Sequence, residues 1–156
     1  MKRLALTGVL LAAVFPAPGV EGANVRSSHL GDPGRLLTSV VADIARNDYE
    51  HAWLSLYPPH QRVAPLDEYV ACELKSPNPG RLEAAVIVRS VRTSFAVAGQ
   101  RRPLRGAAVT FRIRISDSAL AASVDVRATF HAVPVAGRWR WILPAERYEL
   151  YRADGC

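Results

Sequence analysis

The chain has 156 residues, of which 49% are hydrophobic and 22% are charged. This composition provides enough apolar material for one packed core, and it excludes a disordered chain, a collagen, a coiled coil and a disulfide-dense miniprotein. The formal charge of +6 arises from 20 Lys and Arg residues against 14 Asp and Glu residues, and it favours anionic partners.

The first 22 residues have the pattern of an export signal. A basic start, Met1 to Arg3, precedes an apolar run from Leu4 to Phe15 that is too short to span a bilayer as a helix. Helix-breaking and small residues follow, which predicts a cleaved signal peptide over residues 1–22 and a flexible arm over residues 23–31. The alternative, a buried N-terminal helix, would have no polar face. We therefore expect a secreted or cell-envelope protein without a lipid anchor or transmembrane helix, and we do not expect nucleic acid as a partner.

Three helices are predicted next. Asp32 is a good N-cap with Pro33 at the first helical position, and apolar residues then recur at helical spacing as far as Ile44. Asn47 can take the left-handed conformation that ends this helix, and Asp48 can cap the second one.

The second helix would stop at Pro58-Pro59, and His60 would then lie in a loop. A third helix is predicted over 66–74, followed by the loop 76–80, which is rich in Pro, Asn and Gly.

After that loop the apolar period changes to two, which is typical of strands with one buried face. Four strands are predicted, separated by connections too short for a crossover helix, so the sheet should be antiparallel. The expected fold is α+β: three N-terminal helices packed on a curved four-stranded antiparallel sheet, in a single domain over residues 32–156. The inward positions of the last three strands are Val109, Phe111, Ile113, Ile115, Val124, Val126, Ala128, Phe130, Trp139, Trp141 and Leu143.

The segment from Asp43 to Pro58 resembles the helix-turn-helix entry of the nuclear transport factor two-like superfamily, and Trp139 to Leu143 looks like its late strand. The chain resembles an exported bacterial member of this superfamily. This resemblance implies a cone-shaped domain of helices on a curved sheet. That superfamily includes isomerase-like and cyclase-like enzymes as well as non-catalytic binding domains, so the resemblance does not by itself decide the function.

An isomerase or cyclase would need a general base and an oxyanion donor inside the cone. No inward strand position titrates, and Asp125 and His131 fall on the opposite face. No catalytic or metal-ligand motif is present, so no catalytic residue, metal or cofactor is predicted. Aromatic side chains converge on the inner face instead, where they would either line an apolar pocket or fill it: Trp53, Tyr57, Phe111, Phe130, Trp139 and Trp141.

The opposite phase of the same strands is basic. It could dock an anionic envelope surface or an acidic partner, form a homodimer through the sheet, or simply be solvated. Its members are Arg112, Arg114, Arg127, Arg138 and Arg140.

Cys72 and Cys156 are the two cysteines of the chain. An even count in an exported protein favours a disulfide, and the alternatives are two free thiols or a metal site. The leading hypothesis is a small exported binding or accessory domain without catalytic activity, whose ligand or protein partner the sequence does not specify. The alternative is a small isomerase, cyclase or dehydratase acting on an apolar ligand in the cone.

Overall fold

The computed structural model describes residues 30–117 and 122–156. The predicted signal peptide, and the arm as far as residue 29, lie outside the described residues. The elements in chain order are the helices α1 (Pro33–Ala45), α2 (Tyr49–Leu54), α3 (Pro58–Val63) and α4 (Leu66–Glu73), the strands β1 (Arg81–Phe95), β2 (Leu104–Asp117), β3 (Ala122–Val135) and β4 (Arg138–Trp141), and the helix α5 (Ala145–Arg152). An α+β domain in which helices precede a four-stranded antiparallel sheet is therefore confirmed.

The first two helices begin where their capping residues predict. The side chain of Asp32 accepts a hydrogen bond from the Gly34 N–H at 2.9 Å, and that of Asp48 accepts one from the His51 N–H at 3.3 Å. Asn47 adopts a φ of 60° between the two helices. These side chains satisfy or redirect backbone groups that would otherwise be unpaired at a helix end.

Two helices were not expected. Pro58 and Pro59 were predicted to stop a helix, but α2 already ends at Leu54 and the prolines begin α3. Proline suits a first helical turn, because its fixed φ is helical and its missing N–H would have no partner there. His60 therefore lies in α3 and is fully buried, so its predicted loop position was wrong. The other addition is α5, which follows the sheet.

The sheet order is β1-β2-β3-β4, and neighbouring strands are antiparallel. The pairing of β1 with β2 contains two register shifts, whereas β2 and β3 pair without a shift from Ala107 to Asp117. The short strand β4 pairs with β3 only over Ala132–Val135. The turn between them has positive φ at Ala136 and Gly137, which is the backbone of a two-residue type I′ hairpin.

The main core lies between the helices and one face of the sheet. Leu37 and Val40 of α1, Leu56, and Val109 and Phe111 of β2 are all completely buried there. The predicted inward phase is therefore right for the centre of the sheet. The same phase holds at the far end of β3, where Val124 and Val126 lie opposite Ile115 and Ile113, but these valines are not buried: they are 44% and 42% exposed. None of the packed hydrophobic clusters of the described residues includes these two valines.

A second, smaller cluster surrounds Val97, Val133 and Ile142, with Tyr57 and Phe95 packed against it. Val133 lies opposite Arg140 in the register, so this cluster occupies the sheet face away from the tryptophans of β4. It covers that face only near β4, and no other described residues pack on the outer face of the longer strands.

The end of the chain is fastened to α4. Cys72 and Cys156 are paired with their Cα atoms 5.5 Å apart, in the range that a disulfide requires. Arg147 of α5 forms an ion pair with Glu73, and the Tyr151 hydroxyl donates to the same carboxylate at 2.7 Å. No helix among the described residues combines the length and apolarity needed to cross a membrane.

Candidate functional site

The six aromatic residues predicted to meet on the inner face do not form one group. Phe111, Trp139 and Trp141 are buried in the main core, and Trp53 and Phe130 pack against it. Tyr57 instead belongs to the second cluster, because the segment after α2 runs along the edge of β4. The rings of Phe111 and Phe130 meet edge to face at 5.9 Å.

All three tryptophan N–H groups bond to backbone. Trp53 donates to the Ala64 carbonyl at 2.8 Å, Trp139 to that of Gly31 at 2.6 Å and Trp141 to that of Ala52 at 2.6 Å. These rings therefore fix the helices and the start of the domain onto the sheet. Their polar atoms are already used for structure.

Two of the grooves formed by the described residues are lined by members of the predicted aromatic set. One of about 440 Å³ lies at the Trp139 end, where the Arg92 guanidinium stacks 5.5 Å from the Trp139 ring. The other, of about 430 Å³, is mostly apolar and is lined by Phe130, His131 and Leu143. Burial lowers the pKa of His131, whose ring lies 4.7 Å from Phe95. Neither groove brings the six aromatic residues together.

Two further titratable side chains are buried and line neither groove. His60 accepts from the Leu143 N–H through Nδ1 at 3.1 Å, and its Nε2 donates to the Ala98 carbonyl at 3.2 Å. Burial lowers its pKa, so it is neutral at physiological pH. Asp43 is held by Arg46 at 2.7 Å. The described residues contain no group of three or more His, Cys, Asp or Glu placed to hold a metal.

The outer face of β2 and β3 is basic, and no described element covers it. Arg112 lies directly opposite Arg127 in the register, and both are exposed. Arg114 is opposite Asp125 and binds it with two hydrogen bonds, at 3.1 and 2.8 Å. This contact lowers the pKa of the Asp125 carboxyl. Arg112 and Arg127 have no such partner among the described residues, and like charges placed directly across a strand pair destabilise a sheet.

The other two arginines of the predicted basic set lie on the same side of the sheet but farther along it. Because β4 pairs only with the last residues of β3, Arg140 and Arg138 are opposite Val133 and Val135. They are therefore about 20 Å and about 26 Å along the strand from Arg127, respectively. Arg140 also donates to the Leu54 carbonyl at 2.7 Å, which gives it a structural role.

Sequence reasoning missed a residue of this face, Arg89 on β1. It lies opposite Thr110, next to Arg112 on the same face. The alternation of β1 did not reveal it, because the register shifts between Ile87 and Arg89 and Val88 is the extra residue. We call Arg89, Arg112, Arg114 and Arg127 the basic face.

Neither a scan against protein-family models nor a search of curated proteins gave a match to this chain.

Proposed function

We propose that this protein is a small exported, non-catalytic binding domain of the nuclear transport factor two-like type, which docks on the anionic surface of the cell envelope through its basic face. The observation that carries the proposal is the direct opposition of Arg112 and Arg127 on a sheet face that none of the described residues covers. Repulsion between these two guanidinium groups is relieved when phosphate or carboxylate groups lie against them. The free energy gained on docking therefore includes the relief of this repulsion between like charges.

The shape of the face suits an extended surface better than a small ligand. Its residues lie on three adjacent strands, and Val86, directly across from Arg112, is 48% exposed. An exposed array of arginines with valine beside it fits a layer of anionic head groups. Basic residues near such a layer contribute about 1 kcal/mol each.

The two buried titratable side chains support a non-catalytic role. The buried His60 uses both ring nitrogens for backbone contacts, and Asp43 is bound by Arg46. A general base must be able to reach a substrate proton, and neither group has an unused atom directed into a groove.

Cosedimentation with vesicles tests the proposal. The wild-type protein should bind vesicles that contain anionic phosphatidylglycerol and not vesicles of phosphatidylcholine alone, and binding should weaken steeply with added salt. Replacing Arg89, Arg112 and Arg127 together by Gln should reduce the affinity about a hundredfold, from a loss of about 3 kcal/mol.

The matched control is the triple variant Arg101→Gln, Arg102→Gln and Arg138→Gln, which removes the same charge from exposed arginines outside the basic face. It should lose much less affinity. Equal losses of affinity in the two triple variants would show that binding depends only on net charge. A wild-type protein that does not bind anionic vesicles at low salt would overturn the proposal.

A further inference from the structure

The sheet has two open edges, and they differ in kind. The β1 edge is interrupted by two register shifts and carries Arg81, Glu83 and Arg89. Bulges and charges of this sort are how proteins protect an edge from pairing with another chain. The edge of β3 also carries charges, Asp125 and Arg127, but it is regular. Within the part of the chain that the structure describes, no strand lies beside it over residues 122–130.

We propose that the free edge of β3 pairs with the same edge of a second copy of this chain, in antiparallel orientation about a twofold axis at Val126. Two symmetric copies must pair each residue with its mirror position along the strand. The free segment 122–130 has its midpoint at Val126, so only a register centred there uses the whole edge of both copies. On the other side β4 pairs from Ala132, and the Ile142 N–H donates to the His131 carbonyl at 3.1 Å, so the free edge ends at residue 130.

The charges fit this register independently. A twofold axis at Val126 places Asp125 of one copy opposite Arg127 of the other, and this happens twice. Opposite charges directly across an antiparallel pair stabilise it. The contact also brings a carboxylate to Arg127, the arginine whose cross-strand neighbour in its own sheet is Arg112. The second copy thus relieves the like-charge pair that the single chain leaves.

The apolar side of the edge fits as well. Val126 would lie against Val126 of the other copy, and Val124 against Ala128, on the face opposite the arginines. Val124 and Val126 are the exposed valines of the inner phase, and the packed core does not extend to them. The helices therefore leave room for the second copy. The product is one sheet in the order β1-β2-β3-β3-β2-β1, with both basic faces on the same side.

Sedimentation equilibrium over a range of protein concentrations tests this arrangement. The wild-type protein should show a monomer–dimer equilibrium. Asp125→Arg and Arg127→Asp should each weaken the dimer about tenfold or more, because each places like charges opposite one another twice. The double variant should restore the dimer, since it exchanges the partners. It also keeps an acid–base pair inside each sheet, at Arg112 and position 127, which protects the fold.

A second pair of variants identifies the edge. Val126→Arg puts two like charges at the axis and should abolish dimerisation, whereas Val88→Arg, at an equally exposed valine of β1, should not. Circular dichroism checks that each variant is folded. A wild-type protein that is monomeric at every concentration, a double variant that stays dissociated, or dissociation by Val88→Arg alone would each overturn the proposal. Vesicle binding is not part of this test, so the two proposals can fail separately.

Discussion

Asn47 turns the chain between α1 and α2, and its side chain also holds the loop after α4. Its Oδ1 accepts from the Asn78 N–H at 2.7 Å and from the Tyr49 hydroxyl at 2.8 Å, while its Nδ2 donates to the Asn78 carbonyl at 3.2 Å. The left-handed turn was predictable, because Asn before a capping Asp favours it locally. Asn78 was not, since its contact spans 31 residues and local patterns carry no such information.

His60 could not be placed from its neighbours for a similar reason. A histidine after two prolines has the pattern of a loop, yet the ring is buried between Tyr57 and Tyr148, at 5.3 and 4.8 Å. Its burial depends on backbone groups of Ala98 and Leu143, which lie 38 and 83 residues away.

We expect the stability of the protein to fall when the pH drops below about 6.5, because of His60. Burial lowers the pKa of the folded side chain, whereas the unfolded side chain has the ordinary value near 6.5. Below that pH the unfolded chain binds the proton first, so the free energy of unfolding decreases by up to about 1.4 kcal/mol per pH unit. Above it this contribution is fully present. Urea melts between pH 5 and 7.5 measure the slope.

His60→Asn should make the free energy of unfolding depend less steeply on pH, because the asparagine oxygen can accept from the Leu143 N–H and does not titrate. His51→Gln is the control: His51 is exposed, and its contact with Asp48 raises its pKa, so it contributes with the opposite sign. His131, whose pKa is also lowered by burial, should account for acid sensitivity that remains. An unchanged slope in His60→Asn would show that His60 is not responsible.

At the level of elements, the strands of the sheet were easier to predict than the short helices. The alternation of β2 gave its buried face correctly, because one face is covered along most of its length. The helix α5 gives little signal, since its buried residues are only Tyr148 and Tyr151 and the rest of it is largely charged. Its position depends on a contact outside the helix, since the Tyr151 hydroxyl donates to Glu73 of α4. Burial and the hydrogen bond to that carboxylate raise the pKa of Tyr151.

Trp141 connects β4 to β3, to α2 and to the segment after α2, so truncating its side chain should reduce stability strongly. It is 2% exposed, its ring N–H binds α2, and its backbone pairs with the segment after α2. Trp141→Ala should lower the free energy of unfolding by about 3–5 kcal/mol in urea melts. Leu54→Ala, at a side chain that is 56% exposed, should cost less than about 0.5 kcal/mol. Similar losses in the two variants would contradict this assignment of the core.

Over the whole molecule, the sequence pattern revealed which residues share a face but not where that face ends. The phase of Arg112, Arg114 and Arg127 was predictable from strict alternation. The separation of Arg138 and Arg140 from them depends on β4 being four residues long, and the exposure of Val124 depends on how far the helices reach. Such properties arise from the relative lengths of elements, which periodicity does not report.

The link between Cys72 and Cys156 spans 84 residues, and it therefore constrains the unfolded chain as a whole. Replacing both cysteines by Ser should lower the free energy of unfolding by about 4 kcal/mol on the loop-entropy account. The native structure should persist, because Arg147 and Tyr151 still hold α5 to Glu73. Urea melts with and without reductant measure the effect: reductant should bring the wild-type protein down to the level of the double variant and leave the variant unchanged. Rapid alkylation of both thiols in native, unreduced protein, or equal melts for the two proteins without reductant, would show that the pair is not bonded.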